Sequence, residues 1–320
     1  MKIFILTTNI HFKISGGTIF NAHLNEFLNK YTETKIEIIE EVNTYPFDKN
    51  CHYILDGILI SENITLSKLA NYSITFLIHL WPSILQPTNE KKYLFEQIER
   101  EIGKNFKLLF TGENSKKHLL DTLEISDAGI IIQPGVDLNW RHKTSFPDLP
   151  KKVIYLANFI EGKGHFRLLD AVANAKSNTL SIDCYGEILS DDYFQKFMSI
   201  KPKKINYKGK ISHQDINALL LKYDLCFHFS DYESFGMGIL EAIATHLPVL
   251  ITPVGDFKNN QKLKSAGVLD TFDPSLIAAK INEISTEKET YHSLIQAVSK
   301  VKVATWDENF KPLLAQYNLK

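Results

Sequence analysis

Short apolar runs recur along the chain, each about one strand long and each followed by a polar loop and a stretch of helical spacing. In the first half they are Lys2–Leu6, Lys35–Ile39, Tyr53–Ile60, Ser73–His79, Lys107–Thr111 and Gly129–Ile132. In the second half they are Val153–Leu156, Leu180–Tyr185, Ile205–Tyr207, Leu225–Phe229, Val249–Ile251 and a weak run at Gly267–Leu269. The runs are nearly continuous in apolar residues rather than alternating, which predicts strands buried on both faces, in parallel sheets covered by helices. The first run is too short for a signal peptide, and Thr7-Thr8-Asn9 follows where an apolar stretch would have to continue. It is predicted to be a buried first strand ending in a polar loop.

Two series of about six strands each predict an α/β chain of two Rossmann-like units in tandem. Between them Arg141–Lys152 is polar, carries Pro147 and Pro150, and lacks an apolar period, so it is predicted to be a linker. The expected domains are therefore 1–145 and 146–304, followed by a terminal segment, 305–320. In open α/β sheets ligands bind beyond the carboxyl ends of the strands, so the loops after each strand are where chemistry is to be sought.

Composition narrows the function classes. Lys plus Arg total 36 and Asp plus Glu 37, a net charge of -1, which argues against a nucleic-acid binder driven by overall charge. Apolar residues at 44% and charged residues at 23% are ordinary globular values. The cysteines (Cys51, Cys184 and Cys226) are far apart and odd in number, which fits neither a disulfide framework nor a zinc site and suggests a cytoplasmic protein. No apolar stretch is long enough to predict a membrane span.

The densest candidate chemistry is Asp231-Tyr232-Glu233-Ser234-Phe235-Gly236-Met237-Gly238-Ile239-Leu240-Glu241-Ala242, which follows the run Leu225–Phe229. It is predicted to be a loop opening a helix that runs to about Thr245. Gly236 and Gly238 leave the amides of the helix start uncovered, and such amides bind anions and polar hydroxyls. Taken alone, the segment is equally a Gly-rich turn with a glutamate favoured by the helix dipole. Glu233 and Glu241 with Phe235-Gly236 between them, then Ala242 and Pro248-Val249, resemble the E-x7-E motif of retaining glycosyltransferase family 4. That family has the GT-B fold of two facing Rossmann-like domains.

Other segments fall in the family's order. Asn158-Phe159-Ile160-Glu161-Gly162-Lys163-Gly164 is similar to a loop whose arginine and lysine clamp the donor diphosphate; Lys163 matches, while Asn158 stands where the arginine would be. Ser15-Gly16-Gly17-Thr18 is similar to a Gly-Gly loop at the donor phosphate and the acceptor. His79, at the end of the run Ser73–His79, matches a histidine beside the transferred sugar, expected to orient it rather than to ligate metal. Asp56-Gly57 and Glu99-Arg100 resemble features of some members, either on the acceptor side or structural. Pro134-Gly135-Val136-Asp137 resembles a segment ahead of the linker. Gly186-Glu187 and Gly209-Lys210-Ile211 resemble loops that seat the nucleotide base. Trp306 to Tyr317 resembles a terminal helix that crosses back onto the first domain. No Asp-x-Asp metal motif follows a strand, and Asp191-Asp192 reads as a helix start.

The resemblance implies a retaining, metal-independent hexosyltransferase that uses a nucleotide-diphosphate sugar as co-substrate, a UDP-sugar ahead of a GDP-sugar, with no other cofactor. Glu241 would hold the ribose. Glu233 and the amides of Phe235, Gly236 and Met237, beside Ser234, would hold the sugar, with Glu233 not a covalent nucleophile. Lys163 and Gly17 would stabilise the departing diphosphate, and Gly16, Asn158, Gly186 and Ile211 would complete the donor site. The implied acceptor is a glycan or lipid-linked saccharide, met by peripheral contact at the inner membrane face. Two alternatives stand beside this: a sugar-nucleotide epimerase, and a non-catalytic subunit that stabilises a partner glycosyltransferase, which the Asn158 departure motivates.

Overall fold

A computed structural model of the chain describes residues 2–8, 16–86, 88–126, 129–177, 179–258 and 261–320, without the side chains of residues 261 and 262. Ser15, predicted to belong to the first Gly-Gly loop, lies outside the described residues.

The chain divides into two compact units: the chain up to Gly135 together with Thr305–Lys320, and Val136–Ala304. The first holds a six-stranded sheet of β1 (Lys2–Thr7), β2 (Glu33–Ile38), β3 (Cys51–Asp56), β4 (Ser73–Ile78), β5 (Lys107–Phe110) and β6 (Ile130–Ile131). The second holds a five-stranded sheet of β7 (Lys152–Leu156), β8 (Ser181–Tyr185), β9 (Ile205–Tyr207), β10 (Leu225–His228) and β11 (Val249–Ile251). Every strand pair is parallel. The weak run at Gly267–Leu269 makes only a bridge from Val268 to Ile251.

Strand order decides where each unit can bind a ligand. The first sheet runs β2-β1-β3-β4-β5-β6, and the second β11-β10-β7-β8-β9. The winding therefore reverses between β1 and β3 in one and between β7 and β10 in the other. At such a reversal the loops leaving the two neighbouring strands diverge and open a crevice. β7 and β10 are fully apolar at their centres, with Val153, Ile154, Leu225 and Phe227 inaccessible to solvent, so burial on both faces fixes their register.

Three details differ from the sequence-based expectation. The run Tyr53–Ile60 leaves the sheet at Asp56, whose carboxylate accepts the Ile58 amide at 3.1 Å and turns the chain into a 3-10 turn, Gly57–Leu59. Gly16 and Gly17, expected in a loop, open the helix Gly16–Leu28. The units part at Gly135, ahead of the expected 145, and Arg141–Lys152 is counted with the second unit. That stretch is tied down: Lys143 N donates to Thr245 O at 2.7 Å, Arg141 N to Asn217 Oδ1 at 3.0 Å, and Lys152 N to Asp224 Oδ2 at 3.0 Å. The terminal segment forms two short helices, Trp306–Phe310 and Pro312–Gln316, the first capped by Thr305 and Glu308 and packed through Trp306 and Phe310 on Phe20.

Candidate active site

The reversal between β7 and β10 brings Lys163, His228 and Glu233 together. After β7 the chain loops to Lys163 and enters the helix His165–Asn174. Gly164 has φ +69, and a Cβ there would lie 1.9 Å from Phe229 O, so only glycine lets this loop close against the end of β10. Beneath the contact, the buried Tyr155 hydroxyl donates to Lys163 O at 2.8 Å and accepts Phe229 N at 3.1 Å. One strand side chain thus pins both loops.

The result is a salt bridge. Lys163 Nζ lies 2.7 Å from Glu233 Oε1. His228 Nε2, at the end of β10, reaches the same oxygen at 2.8 Å, and Ser230 Oγ donates to it at 3.0 Å. The other oxygen, Oε2, carries no hydrogen bond from a described residue. Burial pushes the Glu233 carboxyl up, but the Lys163 charge and the hydrogen bonds from His228 and Lys163 outweigh it and bring it to about 2. The site therefore holds an ionised carboxylate with one oxygen occupied and one to offer.

From Glu233 the chain passes Ser234 and the buried Phe235, which packs edge-on against Phe257. Gly236, at φ +93, is the N-cap of the helix Met237–Ala244, and a Cβ there would strike Phe257 at 2.9 Å. No described residue accepts a hydrogen bond from the amides of Phe235, Gly236 or Met237. They form a set of donors at a helix N-terminus, beside the Lys163–Glu233 pair in sequence and suited to an anion or a hydroxyl. Glu241 lies on the same helix, 4% exposed, with His213 Nε2 at 2.8 Å from its Oε1. Burial raises the Glu241 carboxyl, and the His213 hydrogen bond and charge oppose it.

The loops after β7, β8 and β9 lie side by side. Asn158 Oδ1 accepts the Glu187 amide at 3.0 Å, and Gly186 N donates to Gly209 O at 3.1 Å. Asn158 thus braces a loop. Ile211 follows in the β9 loop, half-buried against the apolar cluster around Ile154 and Ile239.

Residues 136–301 match the family model described as glycosyl transferases group 1, over half the chain. The chain belongs to this family. Its fold agrees with solved structures. Sucrose-phosphate synthase from Thermosynechococcus elongatus superposes with a TM-score of 0.76 at 14% identity, covering 99% of this chain and 98% of that one. Anabaena Alr3699/HepE in complex with UDP and glucose gives 0.74 at 14% identity, over 99% and 100%. WaaG, a glycosyltransferase involved in lipopolysaccharide biosynthesis, gives 0.66 at 13% identity, over 93% and 94%. The glycosyltransferase thus has the GT-B fold that the resemblance implied. Comparison with curated protein sequences gives no match.

In the first unit of the glycosyltransferase, the other sheet reversal holds a second polar cluster. Asp56 Oδ2 accepts Asn21 Nδ2 at 2.7 Å and Thr7 Oγ1 at 3.1 Å. His79, just past β4, has Nε2 at 3.9 Å from Asp56 Oδ2, and that nitrogen is buried without a hydrogen-bond partner among the described residues. Burial lowers its pKa against the pull of Asp56, which favours a neutral imidazole. Gly17 is half-buried and Gly16 exposed, both in the first turn of their helix. Glu99 proves a brace: fully buried, it accepts Ser83 N and Ser83 Oγ, each at 2.7 Å. Asp191 and Asp192 open a helix capped by Ser190.

The sequence reading missed Tyr155, His228, Ser230 and His213. Tyr155 and His228 sit inside apolar strands and look like core. Ser230, three residues before Glu233, offered the one local signal: a hydroxyl in the loop of a carboxylate. No described helix is long and apolar enough to cross a membrane.

Proposed function

We propose that this glycosyltransferase moves a hexosyl unit from a nucleotide-diphosphate sugar to a glycan or lipid-linked saccharide, with retention at the anomeric carbon and without a metal ion. The observation that carries this is the Lys163–Glu233 pair at 2.7 Å, set at a sheet reversal beside the uncommitted amides of a helix start. Bound UDP in the Alr3699/HepE structures and the involvement of WaaG in lipopolysaccharide biosynthesis support UDP and a glycan acceptor.

In this mechanism Lys163 turns from Glu233 to the donor diphosphate as its negative charge grows, and Gly17 adds a backbone contact. Ser230 and His228 keep hold of Glu233, whose Oε2 accepts a sugar hydroxyl. The amides of Phe235, Gly236 and Met237, with Ser234, fix the rest of the sugar, and His79 orients it as a neutral imidazole. Glu241 takes the ribose, while Gly186, Ile211 and the Asn158-braced loops seat the base. The bond from the anomeric carbon to the diphosphate oxygen breaks, and the acceptor oxygen bonds to that carbon from the same face. The acceptor proton passes to a phosphate oxygen, and the nucleoside diphosphate leaves. Preorganised charge at the leaving group supplies most of the acceleration.

Calorimetric titration with UDP, GDP and ADP, with and without EDTA, tests the donor site. We expect one of them to bind, UDP ahead of the others and indifferent to EDTA, with transfer from the matching sugar donors. Lack of binding by all three would overturn the proposal and favour the partner-subunit alternative.

A further inference from the structure

Glu241 is the more deeply placed carboxylate of the pair, and its helix cannot hold it. A residue inside a helix has its backbone committed to the helix, so a buried carboxylate there needs a side chain from elsewhere. The one that arrives is His213. It lies in the 3-10 turn His213–Asp215 of the loop after β9, just beyond Ile211, and places Nε2 at 2.8 Å from Glu241 Oε1. Its side chain is 19% exposed against 5% for that of Glu241, so the pair spans from solvent to core. No described residue donates to Glu241 Oε2.

We infer that His213 is a positioning residue for donor binding: it occupies Oε1 of Glu241 and thereby presents Oε2 to the ribose hydroxyls of the nucleotide. The inference rests on the proposal that Glu241 holds the ribose. It makes the β9 loop do two things at once, lining the base pocket and setting the ribose carboxylate.

The electrostatics agree with the geometry. The hydrogen bond to Glu241 raises the His213 pKa against the opposing effect of burial, and the Asp137 charge raises it further. Burial raises Glu241, His213 pulls it down, and Asp137 adds to the rise. Among the described residues the Cys226 thiol on β10 also neighbours the pair; burial and then Glu241 push it up to about 12, so it stays neutral. A protonated His213 is thus the cation that offsets two carboxylates, Glu241 and Asp137. As pH rises through its elevated pKa that charge is lost, and the charge-assisted bond to Oε1 becomes a neutral one.

The test measures dissociation constants for whichever of UDP, GDP and ADP binds tightest and for its 2′,3′-dideoxy analogue. Wild type, Glu241→Ala, His213→Ala and His213→Gln are compared. In wild type we expect loss of the hydroxyls to weaken binding by roughly tenfold or more. That discrimination should disappear in Glu241→Ala, shrink to a few-fold in His213→Ala, and partly return in His213→Gln, whose amide can donate to Oε1. Wild-type affinity should also fall by several-fold as pH rises through the His213 pKa, while His213→Gln stays flat. Full discrimination in His213→Ala, with a pH profile unchanged in His213→Gln, would overturn the inference while leaving Glu241 in place. Full discrimination in Glu241→Ala would remove the ribose assignment and the inference with it, as would lack of binding by all three nucleotides. Should His213→Ala fail to fold, the pH profile of His213→Gln decides alone.

Discussion

Glu233 and Glu241 belong to one motif, yet their surroundings drive them in opposite directions. Burial raises both. At Glu233 the Lys163 ammonium, His228 and Ser230 converge on one oxygen, and the carboxyl falls to about 2. At Glu241 a single histidine opposes burial and Asp137, and the carboxyl stays raised. Topology explains the difference. Glu233 sits in a loop where the chain leaving β7 and the chain leaving β10 meet, so cations and hydroxyls reach it from both. Glu241 sits within a helix against the core, where among the described residues only the β9 loop supplies its carboxylate with a hydrogen bond. Motif spacing supplies two carboxylates; the sheet reversal decides which is held ionised by a lysine.

The contrast can be broken at Lys163 first. Lys163→Ala should lower kcat/KM for donor by about 10²–10³, roughly 3–4 kcal/mol of transition-state stabilisation. Steady-state kinetics with the identified donor measure it. The same change should move the Glu233 carboxyl upward toward Glu241, since it removes the largest influence that holds it down.

Stability against pH sharpens the contrast next. Glu233 has a folded pKa near 2 against an ordinary 4.5. Its contribution, about 3 kcal/mol, is therefore present above pH 4.5 and is lost as pH falls toward 2. Glu241, raised in the fold, has the opposite sign: its protonated form is favoured by the native state, so stability declines as pH climbs from 4.5 to its folded value. Urea unfolding across pH 2.5–7 should show Glu233→Gln flattening the acid limb and Glu241→Gln flattening the decline above it.

Smaller effects test the supports. Tyr155→Phe leaves Lys163 O and Phe229 N without their buried partner and should cost about 2 kcal/mol in urea unfolding. It should also weaken donor binding, because the two loops lose their common tether. Ser230→Ala removes one of the three donors on Glu233 Oε1 and should cost about 1 kcal/mol, with a slight upward move of the carboxyl.

Much of the fold was legible because a strand buried on both faces must be apolar throughout. Val153–Leu156 and Leu225–Phe229 announced β7 and β10 to within a residue. The run at Tyr53–Ile60 overshot because its end is set by a carboxylate capping a turn, which hydrophobicity does not register. The linker Arg141–Lys152 looked unstructured for a related reason: its anchors are backbone amides meeting Thr245 O, Asn217 and Asp224, partners far away in sequence. At the site, Lys163, Glu233 and Glu241 were readable from motif and strand-end position. Tyr155 and His228 were not, since a polar tip on an apolar strand declares its purpose only when another loop arrives over it.

The central claim is that Lys163 meets a donor diphosphate at the β7–β10 reversal. The most direct measurement is the affinity ratio of UDP to UMP, or of whichever diphosphate and monophosphate share the preferred base, in wild type and Lys163→Ala. We expect wild type to prefer the diphosphate by tenfold or more and Lys163→Ala, folded normally, to lose most of that preference. An equal preference in both proteins would contradict the claim.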